Sequence, residues 1–377
     1  MLRADSAELI RKSMARFVDK ELIPRAQDMD EQGEIPREIF LELGRMGVFG
    51  TRYPKKRGGA GGNHTLYFII NEELARGLVG LAAVVGMQGL MGTDFLFHFG
   101  NKDMHESFFR PAMAGEKIAS FCLTEPEAGT DLGAVSTSAR RTGEGYVING
   151  VKTWVTNGPL ADFYTVLCQT NPEKRFGGLD FFFVPRKTPG VSHSKPFNIL
   201  GTRTSKIAEV YFKDCLIPAE YRLGIEGEGF KRLLGILSPI RTLAGSQAVG
   251  LQQAALVDAI RYARERTQFG RPISNFQLIQ GKIGNMAVDL EASRLLVYNA
   301  ARLIDEGIEC LKEASMAKYF ATEAACRAGD EITRIFGAYG YSMEYPAQRY
   351  YRDSRFLVSG AGTAEILQTN IAKWVGL

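Results

Sequence analysis

The chain has 377 residues, 45% hydrophobic and 23% charged, which excludes a disordered or fibrous chain and predicts two or three domains at roughly 100–200 residues each. Its 46 basic and 42 acidic residues leave a net charge of +4, too balanced to argue for nucleic acid or an anionic membrane surface. Five scattered cysteines (Cys122, Cys168, Cys215, Cys310, Cys326) form no CxxC, so no disulfide framework and no metal site are expected, and a reducing, cytoplasmic compartment is.

Residues 1–118 read as helices. The first segment alternates charged and apolar residues and lacks the apolar core of a signal peptide. Leu9, Ile10, Met14, Phe17, Val18 and Leu22 follow a helical period that Pro24 closes. Ile39, Phe40, Leu43 and Met46 begin another helix, and the glycine-rich run 55–63 is a loop. Further helices are predicted over about 66–77 and 80–98. The uncharged stretch Gly77–Thr93 contains five glycines and ends at Asp94, so a buried helix is expected there and no membrane insertion.

Residues 119–222 change character, with short β-rich runs (IASFCL, YVINGVKTWV, FYTVLC, LDFFFV, AEVYF) separated by turn residues. Asn149-Gly150 between two of them predicts a type I′ hairpin. A small antiparallel barrel or sandwich is expected. Residues 223–377 are helical again. An amphipathic stretch runs from Ser238 to Gly270, two more cover about 276–306 and 310–336, and together they predict a bundle.

Several motifs carry chemistry. LTEPEAGTDLG (123–133) follows a strand and exposes backbone N–H groups in a small-residue loop, which suits an anion; a plain surface turn explains its glycines nearly as well. WVTNG (154–158) offers an indole face and a hydroxyl to a ring cofactor, or places a tryptophan in the core. ERTQFGRPISNFQ (265–277) sets Arg266 and Arg271 around Phe269, for a phosphate or for ordinary helix capping. IFGAYGY (335–341) pairs glycines where a helix stops. Thr363 in GAGT precedes a last helix as an N-cap or a polar-ligand site. No GxGxxG opens a βαβ unit, so no nicotinamide site is expected.

The order of these motifs within a helical–β–helical plan, together with the early GGAGG and the segment LGTRTSKIAEVYFKDCLIP (200–218), resembles the acyl-CoA dehydrogenase family over nearly the whole chain. The resemblance implies an N-terminal helical domain (1–118), a middle β domain (119–222) and a C-terminal four-helix bundle (223–377). It implies a homotetramer that carries FAD, dehydrogenates an acyl-CoA and passes electrons to an electron-transfer flavoprotein. Matched position by position, Leu123 and Thr124 meet the flavin edge, Gly129 and Thr130 the pyrophosphate, and Trp154 and Thr156 the ring. Arg266, Phe269, Gln277, Gly337 and Gly340 reach a neighbouring subunit's cofactor, and Thr363 and Glu365 lie near the adenosine. Arg241 lies beside the active site.

This chemistry needs a carboxylate that takes the proton α to the thioester. Most members place a Glu just before the last Gly-Thr, where this chain has Ala361, and others use a position where it has Ile240. Three explanations compete: a flavin-loaded member without turnover, a conventional dehydrogenase with its base elsewhere, and a substrate with no α-proton to remove. The last fits cyclohex-1-ene-1-carboxyl-CoA, whose oxidation to the 1,5-diene is a 1,4-elimination from the γ position, with Ala361 leaving room for the ring. The moved base is then expected at Asp94, because Ala83, Met87, Leu90 and Asp94 fall on one face of an ideal helix, with Met87 and Leu90 lining the acyl pocket. A solvent-facing helix-end Asp is the alternative, and His98 one turn on could tune it.

Overall fold

The computed structural model describes residues 4–377. Helices α1 (Ala4–Phe17), α2 (Ala26–Gln32), α3 (Arg37–Arg45), α4 (His64–Gly77), α5 (Val79–Gly86), α6 (Asp94–Phe99), α7 (Lys102–Met104) and α8 (Arg110–Met113) come first. Eight strands follow: β1 (Ala119–Cys122), β2 (Ser138–Thr142), β3 (Gly145–Val155), β4 (Phe163–Gln169), β5 (Leu179–Pro185), β6 (Val191–His193), β7 (Ala208–Ile217) and β8 (Arg222–Leu223). The chain ends with α9 (Gly229–Glu265), a small hairpin β9 (Thr267–Gln268) and β10 (Arg271–Pro272), then α10 (Gln277–Asp305), α11 (Leu311–Phe336), α12 (Pro346–Ser359) and α13 (Ala364–Trp374).

The first helix turns its period inward at Met14, Val18 and Leu22, while Leu9 stays 65% exposed. A π-helical turn over Val18–Leu22 and Pro24 end it. The stretch Val79–Phe99 is apolar and long enough to cross a membrane, but 94% of its most apolar window is buried inside the protein. It is not one helix, as its pattern predicts. A π-helical turn at Met87–Met91 and the turn at Gly92–Thr93 separate α5 from α6. The cause is docking: Gln88 donates to the Ala112 and Lys117 carbonyls and accepts from Ala119 N–H. Thr165 Oγ1 reaches the Gly92 carbonyl at 3.1 Å. The widened turn bolts the helical domain to the edge of the sheet.

The strands form one sheet in the order β6-β7-β3-β2-β4-β5-β8, with β1 added parallel to β4. Asn149-Gly150 is not a hairpin turn. Strand β3 runs straight through it, with a slip in the β7 register between Ile148 and Gly150. Glycine is needed there for close approach, since a Cβ would collide with Thr137. The reversal falls instead between Thr142 and Gly145.

The long helices α10 and α11 start and stop within a residue of the predicted bounds. Helix α9 begins nine residues earlier than the pattern predicts, with Pro239 inside it. Leu233 is buried and Phe230 packs on Phe176 at 4.4 Å, and this packing offsets the hydrogen bond that proline removes and its crowding of the Gly235 carbonyl. Helix α9 yields to an extended Arg266 rather than running to Gly270.

Buried ion pairs join the layers. Glu72 on α4 receives Arg11 at 2.9 Å and Arg294 at 3.0 Å. Asp30 on α2 holds Arg352 of α12, whose neighbour Asp353 accepts Thr202 N–H at 2.6 Å. Helix α9 crosses α4 so closely that a Cβ on Gly250 would land on the Glu72 carbonyl. Gly250→Ala is expected to cost about 1–3 kcal/mol, the usual scale of overpacking, read as a lowered midpoint in thermal unfolding with the helical signal retained.

Candidate functional site

The pairing of β3 with β7 slips again between Lys152 and Val155. The irregularity puts Trp154 at φ 57°, a left-handed backbone that a bulky residue adopts only where its surroundings enforce it. Its indole stands out of the sheet, 60% exposed, with the Phe197 ring 5.1 Å away. Thr156 is buried two residues on, and its carbonyl accepts from Ser120 Oγ at 2.6 Å.

The loop after β1 lies alongside. Thr153 N–H donates to the Thr124 carbonyl at 2.8 Å. The Lys152 ammonium donates to the Leu123 carbonyl at 2.9 Å and to Glu125 Oε1 at 2.8 Å. Glu125 also accepts the Ser136 and Thr137 N–H groups. Burial alone would push its carboxyl up, but Lys152 and these donors bring it from 4.5 down to about 2. Glu125 and Ala128 exchange backbone hydrogen bonds and close a tight turn. Beyond it Gly129 and Thr130 are exposed, their N–H groups without a partner among the described residues. Leu123, Thr124, Gly129, Thr130, Trp154 and Thr156 are thus carried by one loop and the adjoining strand, offering an indole face beside free amides.

The matched residues of the last third lie on other surfaces. Phe269 sits at the tip of the β9–β10 hairpin at φ 51°, 93% exposed. Arg266 stacks over Tyr339 at 5.8 Å, close in sequence to Gly337 and Gly340. Gln277 opens α10 and is exposed. Thr363 caps α13 by accepting Ile366 N–H, with Glu365 on the first turn.

Around the acyl side, the end of α5 presses on α9: a Cβ on Gly86 would meet Leu243, and Gln247 donates to the Ala82 carbonyl at 2.9 Å. Met87 and Leu90 are buried in the π-helical turn. Ala361 stands at φ 60° and Gly362 at φ 100°. Lys318 holds that turn through the Gly362 carbonyl at 2.6 Å and the Val358 carbonyl at 2.9 Å. Arg241 is buried against Ser315 at 2.8 Å.

The π-helical turn and Gly92–Thr93 interrupt the helical period between Leu90 and Asp94 on which the expectation for Asp94 rests. Asp94 Oδ1 receives Arg52 at 2.6 Å, in a buried pair that also engages the Tyr53 hydroxyl and the Gly89 carbonyl. His98 is 3.8 Å away and half exposed. Arg52 thereby links Asp94 to the π-helical turn through Gly89, which gives Asp94 a structural partner.

Models of the acyl-CoA dehydrogenase N-terminal, middle and C-terminal domains match residues 4–116, 120–215 and 227–376. The chain belongs to the acyl-CoA dehydrogenase family. It is 45% identical to benzylmalonyl-CoA dehydrogenase of Aromatoleum aromaticum, over 98% of each chain. It is 38% identical to a subunit of the caffeyl-CoA reductase–Etf complex of Acetobacterium woodii, over 99% of this chain and 98% of that one. The structure of butyryl-CoA dehydrogenase from Megasphaera elsdenii superposes with a TM-score of 0.95 at 35% identity, covering 100% of this chain and 99% of the other.

Acyl-CoA dehydrogenases are flavoproteins, and the residues here fit that cofactor: a strained, exposed indole for the ring and unpartnered amides for the pyrophosphate. Sequence reasoning missed Lys152, Glu125, Lys318 and Arg52. Their partners lie 27 to 44 residues away, and no local pattern marks them. Because Glu125 is depressed in the folded state, its contribution is full above its unfolded pKa and is lost as pH falls from about 4.5 through about 2. Glu125→Gln is expected to flatten that acid limb in a pH series of denaturant melts. It should also cost about 3–5 kcal/mol at neutral pH by stranding Lys152.

Proposed function

We propose that this acyl-CoA dehydrogenase oxidises an α-carboxylated arylalkyl thioester, a benzylmalonyl-CoA-like substrate, and releases CO2 in place of an α-proton. The observation that carries the reading is Ala361, with Ile240, at the two positions where the family keeps its base. A malonyl-type thioester needs no base. The bond from the α-carbon to the carboxylate carbon breaks, and its electron pair stays at the α-carbon, where it becomes the new double bond as hydride leaves the β-carbon. The relative named for benzylmalonyl-CoA, 45% identical, supports a substrate of this class.

FAD, held by Leu123, Thr124, Gly129, Thr130, Trp154 and Thr156, supplies the hydride acceptor. The chain's own groups do the rest. Met87 and Leu90 give the aryl end an apolar seat, and the half-buried turn at Ala361 limits water at the α-carbon. A homotetramer is part of the proposal, with Arg266, Phe269, Gln277, Gly337 and Gly340 facing a partner subunit; the exposure of Phe269, Leu278 and Tyr341 supports it. An electron-transfer flavoprotein is proposed as acceptor, supported by the relative that forms a complex with Etf.

A second reading is the 1,4-elimination on cyclohex-1-ene-1-carboxyl-CoA with Asp94 as base. The burial of Asp94 just beyond Met87 and Leu90 favours it, and the Arg52 ion pair counts against it. The holoenzyme with benzylmalonyl-CoA and electron-transfer flavoprotein is expected to release one CO2 per cinnamoyl-CoA formed, with 3-phenylpropionyl-CoA oxidised at least about a hundredfold more slowly for want of a base. Asp94→Asn should leave the CO2-releasing turnover in place. Oxidation of cyclohex-1-ene-1-carboxyl-CoA without CO2 release, lost in Asp94→Asn, would decide for the second reading.

A further inference from the structure

The turn that carries Ala361 lies over two buried cations. Lys318 is wholly buried and, among the described residues, donates only to the Val358 and Gly362 carbonyls. Arg241 is 6% exposed. Its Nη1 donates to Ser315 Oγ, which itself donates to the Leu311 carbonyl. Its Nε has no hydrogen-bond partner among the described residues, and its Nη2 lies 3.7 Å from where a Cβ on Gly362 would stand.

These cations differ from three other buried ones, and buried Arg349, which also lacks a carboxylate among the described residues, donates to Gln27 Oε1 instead. Arg52, Lys152 and Arg352 each hold a carboxylate: Asp94, Glu125 and Asp30. Arg241 and Lys318 hold none among the described residues. Burial pushes the Arg241 guanidinium down with no acidic neighbour opposing it. Burial and then the charge of Arg241 push Lys318 down to about 8, opposed by Glu323 and Glu365. A buried charge and a buried donor left unpaired are both costly, and an anion from outside the chain would relieve both.

We propose that Arg241 is the receptor for the substrate's α-carboxylate, and that the Arg241–Lys318 pair selects malonyl-type thioesters over their counterparts that lack the carboxylate. The inference rests on the proposed function and names the residue that gives it specificity. Ala361 vacates the space a glutamate would fill, so the substrate's carboxylate takes the place of the family's own beside the cation. Arg241 offers Nε and Nη2, the edge of a planar fork that matches two carboxylate oxygens. Lys318 is a positioning residue: it fixes the turn through carbonyl groups. When the carbon–carboxylate bond breaks, its electron pair stays with the acyl group and neutral CO2 forms. The ion pair then ends, and the product is no longer retained by it.

The test uses ligands that differ only in the carboxylate, phenylmalonyl-CoA and phenylacetyl-CoA. Neither has an sp³ β C–H bond, so binding to the FAD-loaded enzyme can be read from flavin absorbance without oxidation. Wild type is expected to prefer phenylmalonyl-CoA by roughly 10- to 100-fold, the scale of a charge-assisted pair. Arg241→Gln should bring the two dissociation constants together at unchanged FAD content, and Arg241→Lys should keep part of the preference. Ala361→Glu, which leaves Arg241 in place, should also abolish the preference by supplying an internal carboxylate; this variant carries the test if the arginine variants do not fold. Retention of the full preference in Arg241→Gln, or wild type releasing CO2 from benzylmalonyl-CoA without any preference, overturns the inference and leaves the proposed function standing. Wild type that neither prefers phenylmalonyl-CoA nor releases CO2 overturns the proposed function itself.

Discussion

One buried ammonium sets the geometry of the Ala361–Gly362 turn. Lys318, on α11, ties the end of α12 to the Ala361–Gly362 turn through two carbonyl groups. Helix α11 also packs along α9, where Arg241 reaches across to Ser315. Three helices and the turn are therefore fixed in relation to one another by largely buried polar contacts, where each omission is costly. The left-handed backbone at Ala361 is a conformation that a lone alanine does not choose. It persists because Lys318 and the start of α13 determine the turn from both sides.

The same principle operates at the other end of the site. The Lys152–Glu125 pair joins β3 to the loop after β1, so the irregularity that turns Trp154 outward and the turn that frees the Gly129 and Thr130 amides are held by one ion pair. Removing either partner would leave the other charged and buried. The sheet domain is fixed to the helical domains by similar means, through Gln88 at β1 and through Thr202 on Asp353. Polar groups with few alternative partners define the register of the layers; apolar burial supplies most of the driving force.

The fold was legible where a period ran long. Helices α10 and α11 and the change from helical to β character needed only apolar spacing and turn residues. The pattern misled where a local rule met a tertiary constraint. Asn149-Gly150 reads as a turn, but Thr137 needs that glycine for close approach. Pro239 reads as a start, yet packing carries α9 through it. The region 80–98 reads as one helix, and the docking of Gln88 widens it into a π-helical turn. The candidate site divides the same way. The residues from Leu123 to Thr130 and from Trp154 to Thr156 stand in short contiguous motifs. The placement of Asp94 rested on an unbroken helical face, which the π-helical turn at Met87–Met91 interrupts. Lys318 looks like any helical lysine until its carbonyl partners 40 and 44 residues away are known.

The loss of a base has a consequence for specificity. A carboxylate over the α-carbon would deprotonate any acyl thioester of suitable length, so a site that keeps one discriminates mainly by the shape of its acyl pocket, and a methylene more or less in an apolar pocket is worth only about 1–3 kcal/mol. On the proposed reading, with alanine at 361 a saturated thioester that enters meets no carboxylate at that position to take its proton. Rejection then lies in the chemistry and does not require weak binding, a form of discrimination built from what the site lacks. In the proposed role, Arg241 would add the matching attractive element, because an unpaired buried guanidinium gains most from the ligand that brings the missing charge. The two features depend on each other: a glutamate at 361 would restore general dehydrogenation and at the same time neutralise the cation.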